Sequence, residues 1–189
     1  MRSRTQRGPR RSTREAILDT AALVLTESPS ASMAALAQAA GVGRATLYRH
    51  FPSREELVKE LSLEAIRLTD EATAPVFERY QNAATALREM IEALVPFGDR
   101  YHFLANETQA GADPQVASET NRQLSELAAF VDQAKTEGFF ADDLPTEWIV
   151  AVIDSSIWAA WHSIHRGVMA PGDAARLVYR TLVDGLRQR

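Results

Sequence analysis

The sequence predicts an all-α fold. Apolar residues recur at helical spacing from Thr13 to the end of the chain, and the interruptions fall at proline and glycine. No stretch alternates apolar and polar residues between turn signals, and no internal repeat is present. About nine helices joined by connections of ordinary length account for the pattern.

Each element has a local reason. Residues 1–12, MRSRTQRGPRRS, hold five arginines, no acid and almost nothing apolar, and read as a disordered basic arm. Ile17, Leu18, Ala21, Ala22 and Leu25 mark one face of a first helix, which Ser28-Pro29-Ser30 ends. Ser32 is placed to cap a short second helix with Met33, Leu36, Ala37 and Ala40 inward. Gly41 supplies the left-handed position of a tight turn. A third helix from near Gly43 to His50 buries Leu47 and closes at Phe51-Pro52. Ser53-Arg54-Glu55-Glu56 spells a capping box for a fourth helix, expected to run to about Ala74, before Pro75. Later helices are expected over 82–95, 97–109, 114–137, 145–166 and 172–186. The chain thus divides into an arm (1–12), a small helical unit (13–60) and a larger one (61–189).

Composition limits the function classes. With 46% hydrophobic and 24% charged residues the chain reads as a well-packed globular protein. It has no cysteine, which excludes disulfides and thiolate metal sites and fits a cytoplasmic setting. The weakly charged run from Trp148 to Ile164 is broken by Asp154 and is short for a membrane span, so no membrane association is expected. The net charge of −4 is unevenly spread. Residues 1–60 carry ten Lys/Arg against six Asp/Glu, whereas 61–189 carry eleven against nineteen. A basic tail on an acidic globule and a polyanion-binding module on an anion-avoiding body both fit that asymmetry.

The second and third helices decide between them. Two short helices joined by a glycine turn form a helix-turn-helix, which lays its second helix in the DNA major groove. Leu36, Ala37, Val42 and Leu47 fix the crossing, and Arg44, Ala45, Thr46, Tyr48, Arg49 and His50 face outward. Guanidiniums, hydroxyls, an imidazole and a methyl are groups suited to phosphates and base edges.

The stretch ASMAALAQAAGVGRATLYRHFPSREELVKEL, above all Ala40-Gly41-Val42, Thr46 to Phe51 and Ser53 to Leu57, resembles the DNA-binding signature of the TetR/AcrR family of regulators. The resemblance is sharp over about residues 13–62. It implies a three-helix DNA-binding domain, followed by a helical domain that binds a small ligand and dimerises. It also implies phosphate contacts from Tyr48, His50 and Arg54, and from Ser32 at the start of the second helix. Arg44, Ala45 and Thr46 fall at the positions that read bases or the adjoining backbone. Gly43 stands where many members have a capping serine, and Ala34 where some have a base-reading side chain, which leaves Arg44 with more of the reading. Other readings stand beside these: Tyr48 packed on Phe51, His50 as a helix-end cap, and Arg49 as a solvated or phosphate-near charge; the arginine arm reads either as a solubilising tail or as a flexible arm along phosphates or the minor groove.

The larger unit holds two further patterns. Trp148, Ile149, Val152, Ile153, Ile157, Ala160, Trp161 and Ile164, with Leu177, Val178, Leu182 and Leu186, exceed one bundle face, as in a four-helix interface between two subunits. A ligand pocket is expected from Phe97, Tyr101, His102, Asn106 and Phe130, together with the stripe Asp154, Trp158 and His162. Asp154 is the one charge between Trp148 and Ile164 and needs a partner, a ligand or an interface. His162 and His165 lack an accompanying carboxylate pattern, so no metal and no cofactor are expected. No nucleophile–base–orienter set supports an enzyme. The expected function is a dimeric repressor on a palindromic operator, released by a small molecule; activation, or switching by a protein partner, is the alternative.

Overall fold

The computed structural model of the chain describes residues 12–106 and 113–186. The basic arm, apart from Ser12, lies outside the described residues. Nine α-helices occur among them: α1 (Thr13–Glu27), α2 (Met33–Ala39), α3 (Arg44–His50), α4 (Arg54–Glu78), α5 (Ala83–Leu94), α6 (Gly98–Tyr101), α7 (Pro114–Thr136), α8 (Thr146–His165) and α9 (Pro171–Leu186). No β-strand forms among the described residues.

The short N-terminal helices are held by their ends. Ser12 and Glu15 cap α1 reciprocally, so Ser12, assigned to the arm from the sequence, belongs to the first helical unit. Ser32 Oγ accepts from Ala35 N at 3.3 Å and starts α2. Gly41 adopts φ +65°, and the Val42 N–H returns to the Ala37 carbonyl at 3.0 Å. That six-to-one closure turns the chain sharply from α2 into α3. At α4, Ser53 Oγ accepts from Glu56 N at 3.2 Å. The carboxylate that answers Ser53 is Glu55 rather than Glu56, and hydrogen bonds from its own backbone amide and from Ser53 hold it below the usual range.

Two expectations about the helices are corrected. First, α4 does not stop before Pro75 but runs through it to Glu78. The proline removes one intrahelical donor, a cost of about 3 kcal/mol in an isolated helix. Tertiary contact holds the last turn: Val76 is buried and the Phe77 ring sits edge-on to Phe130 at 5.8 Å. Second, 97–109 is not one helix. A 3-10 turn (Val95–Phe97), α6 and a second 3-10 turn (His102–Asn106) replace it, and 107–109 lie outside the described residues. Three consecutive residues, Tyr101, His102 and Phe103, are buried because the segment is wedged between α1 and α8. Burial of three consecutive positions leaves the segment without a single amphipathic face.

Two apolar cores result. Ile17, Leu25, Leu36, Leu47, Phe51, Leu57 and Leu61 build the first, and Leu87, Ile91, Val131, Ile149, Ile153 and Leu182 belong to the second. The division at residue 60 is not a division in packing. Helix α4 passes through it unbroken, and Tyr101 and Phe103 complete the first core from the far side. Each such ring, fully buried, contributes roughly 1.5–3 kcal/mol toward keeping the two parts together.

Candidate nucleic-acid interface and internal cavity

Helix α3 exposes the side chains the sequence singled out. Leu47 is fully buried, while Arg44, Ala45, Tyr48 and Arg49 are exposed and Thr46 and His50 half-buried. Tyr48 is 48% exposed, so packing on Phe51 is not its role in this structure. Phe51 is instead buried beneath the Arg14 guanidinium, 5.1 Å from its ring centroid, and Arg14 also pairs with Glu60. The His50 ring lies 6.4 Å from Phe51, tilted. Gly43 starts α3 with no side-chain cap. Arg54 Nη2 donates to the Pro29 carbonyl at 2.7 Å and ties α4 to the α1–α2 loop. Ser32 is exposed beside that loop.

A cavity of about 360 Å³ opens between α4, α7 and α8. Apolar walls come from Ile66, Phe77, Leu127, Ile157, Trp158 and Trp161, and polar groups from Thr69, Thr73, Gln123 and three carboxylates, Asp70, Glu126 and Asp154. The charged residues of this lining are all acidic. Asp70 and Glu126 are neutralised by Arg122, which bonds both as well as Glu119. Gln123 Nε2 adds a bond to Asp70 at 2.7 Å and so pins α7 to α4. Asp154 differs. Its carboxylate meets only the Trp158 side chain among the described residues, and burial pushes its pKa up. Such a group is stabilised by an incoming cation.

Comparison with known proteins decides the family. Residues 17–61 match the model of the bacterial regulatory proteins of the tetR family. The HTH-type transcriptional repressor LfrR of Mycolicibacterium smegmatis is 31% identical over 168 residues, spanning 85% of this chain and 84% of that protein. The chain belongs to the TetR family. The crystal structure of LfrR from Mycobacterium smegmatis in complex with proflavine superposes with a TM-score of 0.78 at 27% identity, covering 92% of this chain and 96% of that one. PfmR from Thermus thermophilus gives 0.74 at 26% identity, over 90% and 98%. The relatives are transcriptional regulators rather than enzymes, and no helix among the described residues is long and apolar enough to cross a membrane.

Within this TetR-family frame the expected pocket set divides. Tyr101, Asp154 and Trp158 line the cavity. Phe97, His102, Phe130 and His162 do not, and the Asn106 side chain lies outside the described residues. Phe130 is buried among Phe77, Tyr80 and Phe140. His102 is buried, with Nδ1 3.2 Å from the Gly98 carbonyl and its ring stacked on His165. His162 is exposed on a different side of α8 from the cavity. Eight residues at about 100° each leave it some 80° off the Asp154 line, whereas Trp161, seven residues on, is only about 20° off. Trp161 therefore takes its place.

The α4 and α7 contributions were missed. Ser62, Ile66, Thr69, Thr73 and Phe77 recur every three or four residues along α4, a mixed polar and apolar stripe that reads as a solvated flank. The apolar surplus on α8 and α9 is also smaller than expected. Ile149, Ile153, Ile157, Ala160, Trp161, Val178, Leu182 and Leu186 are buried within the subunit, Val152 and Ile164 are half-buried, and Trp148 and Leu177 are exposed. Trp148, Ala151, Ser155, Ala159 and His162 form one exposed face of α8.

Proposed function

We propose that the chain is a repressor that binds a palindromic operator as a homodimer and releases it when a flat aromatic cation occupies the cavity. Asp154, a desolvated carboxylate beside Trp158 and Trp161 in the cavity wall, is the observation that carries this reading. It offers one counter-charge and two broad rings, and desolvated cation–ring contact adds about 2 kcal/mol. Proflavine, present in the LfrR structure, is a molecule of that chemistry.

On DNA, Arg44 reads a base, with Ala45 and Thr46 beside it, while Ser32, Gly43, Tyr48, Arg49, His50 and Arg54 approach the phosphates. The bond from Arg54 to the Pro29 carbonyl holds the guanidinium at the start of α4, beside the α1–α2 loop. Dimerisation uses the small-residue face of α8, where Ala151, Ser155 and Ala159 permit close helix approach, flanked by Trp148 and by Leu177 of α9. Two recognition helices set by that interface span half-sites about one helical turn apart.

Selection of random duplexes by the purified protein tests the reading. A two-fold symmetric motif with half-site centres about 10 base pairs apart is expected. A single unpaired half-site, or no enrichment, contradicts it.

A further inference from the structure

Among the described residues, three buried polar atoms lack a protein partner, and all lie where α6 meets α1 and α4. They are Glu64 Oε2, Arg100 Nε and the Tyr101 hydroxyl. Most buried polar groups are paired, so three orphans in one place need a physical explanation. Arg100 is the centre of the group. One of its terminal nitrogens pairs with Asp19 of α1, and the same nitrogen stands 3.9 Å from Glu64 of α4, beyond hydrogen-bond reach. Its carbonyl accepts from Thr26 Oγ at 2.9 Å, a second tie to α1. Its guanidinium lies 5.3 Å from the Tyr101 ring centroid, and Tyr101 lines the cavity. The Tyr101 hydroxyl is held protonated, its pKa pushed to about 12 by burial and by the Glu64 charge.

The orphans are complementary. By chemistry Nε is a donor, Oε2 an acceptor, and the Tyr101 hydroxyl a group that donates to a carboxylate. The nitrogen that bonds Asp19 is also the one nearest Glu64, so carboxylates from two helices draw on the same donor of one guanidinium.

We propose that Arg100 is a two-position latch between the cavity and the DNA-binding helices. Paired with Asp19, it holds α6 to α1 and favours operator binding. Turned to Glu64, it releases α1 and satisfies the three orphans. This rests on the reading that a cavity occupant weakens operator binding, and it names the residues that transmit the effect. Helix α6 is placed to feel the occupant from two sides. Tyr101 belongs to the cavity wall, and Gly98 packs so closely on Trp161, another wall residue, that a Cβ there would fall 2.6 Å from the indole Cγ. Helix α1 in turn supports the recognition unit through Arg14, which pairs with Glu60 and covers Phe51 at the end of α3.

Two conservative variants separate the arrangements, Asp19→Asn and Glu64→Gln. Each removes one negative charge, so any general gain in DNA affinity has the same sign in both. Asp19→Asn should lower ligand-free operator affinity at least threefold, against that trend, and raise proflavine affinity by a comparable factor. Glu64→Gln should raise ligand-free operator affinity and reduce proflavine-induced release at least threefold. Melting curves establish that both variants fold. Operator affinities that rise in both variants, or move in neither, overturn the latch. Should proflavine leave wild-type operator binding unchanged, the ligand reading fails; opposite shifts in the ligand-free variants would still support the latch.

Discussion

Gly98→Ala is a test in which the helix rule and the tertiary structure give opposite signs. Gly98 begins α6, and replacing a helical glycine by alanine ordinarily stabilises by about 0.5–1 kcal/mol. Here the added methyl would meet Trp161 Cγ at 2.6 Å and Cβ at 2.9 Å, distances that real side chains do not hold. Those atoms lie at the stiff base of the indole, and the Trp161 Nε1–H is donated to the Leu94 carbonyl at 3.1 Å. Neither neighbour moves freely. Overpacking of this kind costs about 1–3 kcal/mol, which after the helix gain leaves a net loss of roughly 0–2.5 kcal/mol by the same two estimates. Urea unfolding followed by far-ultraviolet circular dichroism measures it, and the tryptophan emission of the folded variant should shift as the indole is displaced. An unfolding midpoint above wild type with unchanged emission would refute the close α6–α8 contact.

Other outcomes follow from the same residues. Arg44→Ala should relax base preference at one position per half-site, worth about 1–3 kcal/mol of discrimination, which repeated selection would reveal as one flattened column. Arg54→Ala should make the salt dependence of operator binding shallower by about one unit, read from titrations across ionic strength; an unchanged slope removes Arg54 from the phosphate set. A glutamate in place of Ala159, on the exposed face of α8, would bury an unpaired charge twice in the dimer. Sedimentation of Ala159→Glu should show a folded monomer, and an intact dimer would exclude this face. Asp154→Asn concerns pH. Because burial raises the folded-state pKa of Asp154 above its unfolded value, the native form binds protons more tightly and ionisation at neutral pH costs stability. The variant should melt above wild type at pH 7, with the advantage shrinking as pH falls toward the ordinary aspartate range. A variant less stable at pH 7 would mean that the bond to Trp158 outweighs the cost of burying the charge.

The parts legible in the sequence are those whose causes are local. Ser32, Gly41 and Ser53 dictate helix ends within a few residues of themselves, and the outward set on α3 follows from burying Leu47 alone. Where distant elements decide, the sequence misleads. Pro75 marks a helix end by local chemistry, yet Phe130, far along the chain on α7, holds the turn beyond it. Phe130 and His102 look like pocket material because aromatic and polar residues line pockets, but both are consumed in packing. Thr69, Thr73 and Gln123 carry no apolar signal, and only the meeting of α4 with α7 makes them a wall. The apolar count on α8 and α9 overestimated the free surface because α5 covers part of α9.

One equilibrium shared by the cavity and the DNA-binding helices is the centre of the proposed mechanism. Its most direct test is proflavine affinity with and without saturating operator, set against operator affinity with and without saturating proflavine. Proflavine also intercalates into DNA, so Asp154→Ala on the same duplex supplies the background to subtract. For wild type the two ratios should agree, each reporting the same coupling of about 1–3 kcal/mol, or roughly 5–150-fold. Proflavine bound in the cavity with operator affinity equal to that of Asp154→Ala would contradict the shared equilibrium.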